Sequence, residues 1–245
     1  MKCYAVGDIH GCLDELSGLL EDLPLEPSDC LIFLGDYIDR GPDSKGVVDY
    51  LLEWRKRQEM EIIFLKGNHE DMFLSYIGLP GKHGEAFLSN GGGATLASYG
   101  VSPIESPLQI PSRIPPAHLQ FFQELRAYHA IKPFLCVHAG IHPQKPLGEQ
   151  NEEELLWIRD PFIQNTHSLP YTVIFGHTPH KDVLFHLPYK IGLDTGLVYG
   201  NQLSCLEMTE KILFQIKRNT KTVSRRNVES HWKESETLTF PPSSQ

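Results

Sequence analysis

CYAVGDIHG, residues 3–11, is a four-residue apolar run that stops on Gly7 and then delivers Asp8 and His10. The same arrangement returns as CLIFLGDYIDRG at 30–41, EIIFLKGNHE at 61–70, FLCVHAG at 134–140 and TVIFGHT at 172–178. Short apolar runs that end on turn residues read as buried strands. Each one supplies Asp, Asn or His where the strand would stop. A single Gly-Asp or Gly-His is ordinarily a turn with a satisfied polar residue. Five in order place carboxylate, amide and imidazole groups on neighbouring strand ends, where they can share two divalent ions. Asp8 and His10 flank Ile9, so an extended strand end would put both side chains on one side.

The segments between the first three islands have helical periodicity. Leu13, Leu16, Leu19, Leu20 and Leu23 form one apolar face, closed by Pro24 and Pro27. Val47, Val48, Leu51 and Leu52 form a second, which ends on Arg55, Lys56 and Arg57, the favourable sign at a helix C-terminus. A third helix, EDMFLSYI, follows GNHE directly. Alternating strand and helix sets the islands at the carboxyl ends of parallel strands, where open α/β sheets place their ligands. Residues 78–130, rich in Gly and Pro before HLQFFQELRAY, read as an insertion that either covers core or caps the site. Asn151 and Glu154 form a capping-box pattern for a short helix that ends near Arg159. TVIF, YKIGLDTG, QLSCLEM and KILFQI then suggest a second sheet packed on the first. The polar, aperiodic stretch 217–245 is expected to be a mobile tail.

The chain has 245 residues, which suits one large domain with ample core. Its 31 acidic and 22 basic residues give a net charge of −9, which argues against general attraction to nucleic acid or to an anionic membrane. Five cysteines without a C-x-x-C pair sit mostly inside apolar runs and read as buried thiols of a reducing compartment. Met1 leads within a few residues to a strand and to Asp8, and no apolar run approaches the ~18 residues that span a bilayer. The expected location is the cytoplasm, and the expected oligomeric state a monomer.

The ordered set GDIHG, GDYIDRG, GNHE, VHAG and GHT resembles the phosphoprotein phosphatase family within the calcineurin-like metallophosphoesterases, across most of residues 3–208. The resemblance implies an α/β fold in which two mixed β-sheets are sandwiched between helical layers, with residues 1–216 as the catalytic domain. It further implies that Asp8, His10 and Asp36 hold one divalent ion, with Asp36 bridging to a second held by Asn68, His138 and His177. Oxygen and imidazole ligands without thiolate suit manganese, iron or zinc, with manganese expected. By the same resemblance His69 is a general acid, Asp39 orients it, and Arg40, Asn68 and Arg159 bind phosphate. The other eight histidines, His180 included, read as exposed or satisfied in the core.

The resemblance leaves the ester open. GDYIDRG and GNHE look like bacterial serine/threonine protein phosphatases, with a phosphorylated protein or peptide as substrate. The alternative is a symmetrical diadenosine tetraphosphate hydrolase, a type that usually lacks an acid at the Asp39 position and has Asp where this chain has Glu70. A binding-only descendant should have lost a ligand or the acid, and none is missing.

Overall fold

The computed structural model describes residues 1–236. The first part alternates β1 (Cys3–Val6), α1 (Leu13–Asp22), β2 (Cys30–Phe33), α2 (Ser44–Lys56), β3 (Glu61–Phe64) and α3 (Asn68–Tyr76). The middle carries α4 (Gly92–Ser98), α5 (Pro116–Gln123), β4 (Tyr128–Ile131), β5 (Phe134–Val137), α6 (Glu152–Trp157) and α7 (Asp160–Ile163). The remainder holds β6 (Thr172–Phe175), β7 (Leu184–His186), β8 (Lys190–Gly192), β9 (Gln202–Glu207), β10 (Ile212–Lys217), β11 (Val223–Asn227) and α8 (Ser230–Glu236).

Two mixed sheets result, one in the order β11-β10-β9-β1-β2-β3 and the other β4-β5-β6-β8-β7. Strands β1, β2 and β3 run parallel, with Tyr4 opposite Leu31 and Leu31 opposite Ile62. Strands β5, β6 and β8 do the same in the second sheet. Parallel strands covered on both faces need apolar residues at every position, which is why these runs lack polar alternation. Alternate residues still part cleanly. Ala5, Ile32 and Ile63 meet Cys136, Ile174 and Ile191 between the sheets. Tyr4, Val6, Leu31 and Phe33 face the other way, onto Leu16, Val47 and Phe73 of α1–α3. On the far side of the second sheet Val137, Val173 and Phe175 pack against Leu155 and Phe162 of α6 and α7. The layers are therefore helix, sheet, sheet, helix.

The five cysteines are free and buried. Residues 78–130 cover core: Phe87, Leu96, Ile110, Phe121 and Phe122 are buried in the same cluster as α1–α3. They also reach the site, as described below. Among the described residues no helix is long and apolar enough to cross a membrane.

The expected mobile tail is corrected as far as residue 236; residues 237–245 lie outside the described residues. Strand β11 pairs antiparallel with β10, Val223 opposite Ile216. It is an edge strand whose Ser224, Arg225, Arg226 and Asn227 are exposed, so it needs no apolar alternation. The Arg225 guanidinium lies 5.7 Å from the Phe214 ring centre, its stem covering apolar surface. Val228 is buried and Trp232 packs against the inter-sheet core. Arg218 Nη1 lies 2.5 Å from both carboxylate oxygens of buried Glu15.

Truncation after Ile216 therefore uncovers β10 and strands the Glu15 charge. Removing one partner of a buried ion pair costs about 3–5 kcal/mol, so the melting temperature should fall by roughly 10 °C. A thermal unfolding curve identical to that of the full chain would show that this segment contributes nothing.

Candidate active site

The carboxyl ends of β1, β2, β3, β5 and β6 converge at one edge of the two sheets, and the backbone there is strained. Among the described residues eight non-glycine positions have positive φ, and five of them are His10 (46°), Asp36 (53°), Asp39 (72°), Arg40 (67°) and His177 (63°). Left-handed backbone costs of order 1–3 kcal/mol at such a residue and concentrates where the surroundings enforce it. His10 thus leaves the extended line assumed from its flanking of Ile9. Gly35, at φ 104°, must be glycine: a Cβ there would lie 2.6 Å from Gly67 N and 2.9 Å from His138 Nδ1.

Glu70 holds this bend in place. Its buried carboxylate accepts main-chain N–H groups from Asp36 (3.0 Å), Tyr37 (2.8 Å), Ile38 (3.3 Å) and Gly67 (3.0 Å). Its side chain is directed at the backbone of the loop that carries Asp36. Glu70 thus anchors that loop in this chain.

Around Asp36 gather more acceptors than donors. His10 and His138 each donate Nδ1–H to a main-chain carbonyl, of Ile38 and Leu34, at 2.8 Å. That fixes their tautomers and leaves each Nε2 with a lone pair. His138 Nε2 lies 2.9 Å from Asn68 Oδ1 and 3.3 Å from Asp36 Oδ1, and His177 Nδ1 lies 2.8 Å from the same Asn68 oxygen. His10 Nε2 lies 3.4 Å from Asp36 Oδ2. Burial pushes His10 down to about 3 and holds His138 and His177 below the ordinary imidazole range, so these rings do not take up protons to relieve the crowding. His177 Nε2 accepts from Arg159, so its Nδ1–H donates to the Asn68 oxygen, but at His138 Nε2 lone pair faces lone pair, which is what a bound cation removes, and the tautomer-fixing carbonyls are the usual outer partners of metal-ligating histidines. Two groups of metal-competent atoms, each within 4.8 Å of one another, share Asp36: His10 with Asp36 and His69, and Asp36 with His138 and His177. Asp8 is outside both groups, and its carboxylate accepts the His177 N–H at 3.0 and 3.2 Å.

His69 differs from the other imidazoles. Burial would lower it, but the carboxylates of Asp36 and Asp39 outweigh that and raise it above its ordinary value. Its Nδ1 lies 2.6 Å from Asp39 Oδ2, so Nε2 faces the cluster, 3.9 Å from Asp36 Oδ2. Asp39 is itself held from outside the motifs. Thr95 Oγ1 donates to Asp39 Oδ1 at 2.5 Å, and the Asp39 N–H lies 2.9 Å from Thr95 Oγ1 and 3.0 Å from Ser44 Oγ. Thr95 lies on α4, within residues 78–130, and neither it nor Ser44 was singled out from the sequence. A threonine in GGATLASYG carries no spacing signal toward Asp39, which is 56 residues away.

Two arginines close the cluster. Arg40 Nη1 donates to His10 Nε2 at 2.7 Å, and its N–H donates to the carbonyl of Gly91 in residues 78–130 at 3.1 Å. Arg159, at the start of α7, turns its Nε to His177 Nε2 at 3.0 Å rather than pairing with Asp160. Trp157 packs edge-on to His177, ring centres 6.3 Å apart. All ten residues expected at the site are thus together. His180 is outside both metal-competent groups. His118 is satisfied by Tyr99 and Asp49, whereas His167 pairs only its Nε2, with the Tyr189 carbonyl, and leaves Nδ1 buried without a hydrogen-bond partner.

Glu70→Gln turns an NH₂ group toward main-chain N–H donors. It should cost roughly 1.5–3 kcal/mol of stability and weaken divalent-ion binding measured calorimetrically. Unaltered stability and ion affinity would show that the four-donor anchor does not hold the loop.

Residues 1–206 match the family model for calcineurin-like phosphoesterase. Among curated proteins, the bis(5'-nucleosyl)-tetraphosphatase PrpE [asymmetrical] of Bacillus thuringiensis (strain Al Hakam) is 26% identical over 238 residues, 86% of this chain and 92% of that protein. A crystal structure provisionally assigned as a diadenosine tetraphosphatase superposes with a TM-score of 0.66 at 26% identity, covering 89% of this chain and 95% of the other. The cold-active protein-tyrosine phosphatase of a psychrophilic Shewanella species shares the fold, with a TM-score of 0.57 at 15% identity and coverage of 91% and 80%. On its sequence, its two-sheet fold and its strand-end cluster, the chain belongs to the calcineurin-like phosphoesterase family and is a metal-dependent phosphoester hydrolase.

Proposed function

We propose that the chain hydrolyses dinucleoside tetraphosphates rather than the phosphoprotein expected first from the sequence, with the asymmetrical cut named for its PrpE relatives in place of the symmetrical one carried as the alternative. The observation that carries this is likeness along nearly the whole length of both chains to relatives of that name.

His10, Asp36 and Asp8 are proposed to hold one divalent ion, and Asp36, Asn68, His138 and His177 a second; neutral imidazoles and hard oxygens suit manganese, iron or zinc. When bound, such ions supply a deprotonated water and screen phosphate charge. The chain's own groups do the rest. Arg40 and Arg159 offer planar forks to the phosphoryl oxygens from two sides, Asn68 contributes beside them, and their fixed geometry favours the charge that develops during displacement. His69, charged through Asp36 and Asp39, presents Nε2–H to the leaving oxygen.

A second reading rests on that His69–Asp39 pair. A protonated, anchored imidazole matters most when the leaving group is a poor one, such as a serine alkoxide, and least when it is a nucleotide phosphate. The pair therefore keeps a phosphoprotein substrate in view, with phosphoserine or phosphotyrosine as the ester.

Both readings are separated by parallel turnover of diadenosine tetraphosphate and phosphoserine and phosphotyrosine peptides. ATP with AMP as products, and little peptide turnover, is the expected result; two ADP, or faster peptide turnover, would overturn the proposal. His69→Asn should slow the phosphoserine peptide by roughly 10²–10⁴-fold and the dinucleotide far less. Equal slowing of both, with metal content unchanged, would mean that His69 binds phosphate instead of donating a proton.

A further inference from the structure

The turn after β8 presents one side chain that no step above uses. Residues 196–200 form a tight turn between two left-handed glycines, Gly196 at φ 68° and Gly200 at φ 94°. Its base is fixed. Asp194 Oδ1 accepts the Gly196 N–H at 2.9 Å, Asn201 Nδ2 donates to the Thr195 carbonyl at 2.7 Å and to the Lys181 carbonyl at 2.8 Å, and Thr195 Oγ1 donates to the Gln202 carbonyl at 2.6 Å. Leu197 is buried and Val198 packs against the core of the first sheet. Tyr199 alone points outward, 63% exposed and the most exposed of the nine tyrosines.

Its position is informative. The Tyr199 ring centre lies 5.6 Å from the Arg40 guanidinium carbon, while the same guanidinium reaches His10 Nε2 at 2.7 Å. An exposed flat ring on a rigid turn thus stands one guanidinium away from the phosphate-binding groups. We propose that Tyr199 is the stacking platform for the nucleobase of a nucleoside phosphate whose phosphate rests on Arg40. This deepens the nucleotide reading above and rests on it. A ribose spans the width of the guanidinium and lets the base reach the ring. The aryl group of a phosphotyrosine is joined directly to its phosphate, without that spacer. Stacking accepts any base and needs no movement of the turn, so the platform is already in its binding conformation.

The test uses the full-length, manganese-loaded enzyme, with inhibition of p-nitrophenyl phosphate hydrolysis by AMP and by ribose 5-phosphate as the readout. Both ligands carry the same phosphate and sugar, so their ratio isolates the base. AMP should bind roughly tenfold tighter than ribose 5-phosphate. Tyr199→Ala should bring that ratio close to one with the melting temperature unchanged, and Tyr199→Trp should preserve both. Equal inhibition of the wild type by both ligands, or a ratio that survives Tyr199→Ala, would overturn the platform. So would a Tyr199→Ala effect confined to phosphotyrosine peptides. The measurement needs no dinucleotide turnover. A Tyr199-dependent ratio in an enzyme that leaves diadenosine tetraphosphate intact would reject the proposed substrate and keep the platform, and cleavage without that ratio would do the reverse.

Discussion

The site depends on a shortage of protons around Asp36. His10 and His138 spend their Nδ1 protons on main-chain carbonyls, and burial keeps their rings neutral, so the His138 Nε2 lone pair faces amide and carboxylate oxygen, while that of His10 is met by the Arg40 guanidinium beside Asp36. A buried cluster of this kind is unfavourable as a purely protein structure. It becomes favourable when positive charge enters, and much of the surrounding architecture keeps it open for that purpose. The left-handed residues at strand ends aim the ligands, Glu70 gathers four N–H groups to hold the Asp36 bend, and the two-sheet core leaves the strand ends little freedom to relax. Strain of a few kcal/mol in the loops is carried by a core many times larger.

The same arrangement separates two chemical duties among similar side chains. Four imidazoles surround Asp36, and three are held neutral. His69 alone is raised, because Asp39 meets its Nδ1 while Thr95 and Ser44 hold Asp39 from behind. Residues 78–130 therefore serve two purposes at once. Leu96 and Phe87 complete the core over α2 and α3, and Thr95 and Gly91 reach from the same segment to Asp39 and Arg40.

Much of this was legible in the chain because strand ends leave a strong local signature. Asp8, His10, Asp36, Asn68, His69, His138 and His177 each follow an apolar run and a turn, so five runs sufficed to assemble the cluster and to anticipate two sheets. What could not be read was interaction at long separation without periodicity. Thr95 sits in a glycine-rich helix of seven residues, and only the packing of α4 on α2 brings it to Asp39. Glu70 was visible, but its purpose depends on where the Asp36 loop lies in space. Strand β11 was missed for a different reason: VSRRN is an edge strand held by backbone pairing and arginine stems, and composition alone gives such a segment the look of a tail. Arg159 was legible as a cation but not as a partner of His177, since its direction comes from the turn into α7.

Two ions that share the Asp36 carboxylate are the proposed occupants of the acceptors around it. Metal stoichiometry of the full-length chain tests this assignment most directly, with the chain stripped, reconstituted with manganese, desalted and analysed by elemental mass spectrometry beside Asp36→Asn. The wild type should hold two manganese ions per chain, and the variant should lose ions from both sites, because the bridge serves each. One ion per chain in fully active enzyme, or two retained in Asp36→Asn, would contradict the assignment.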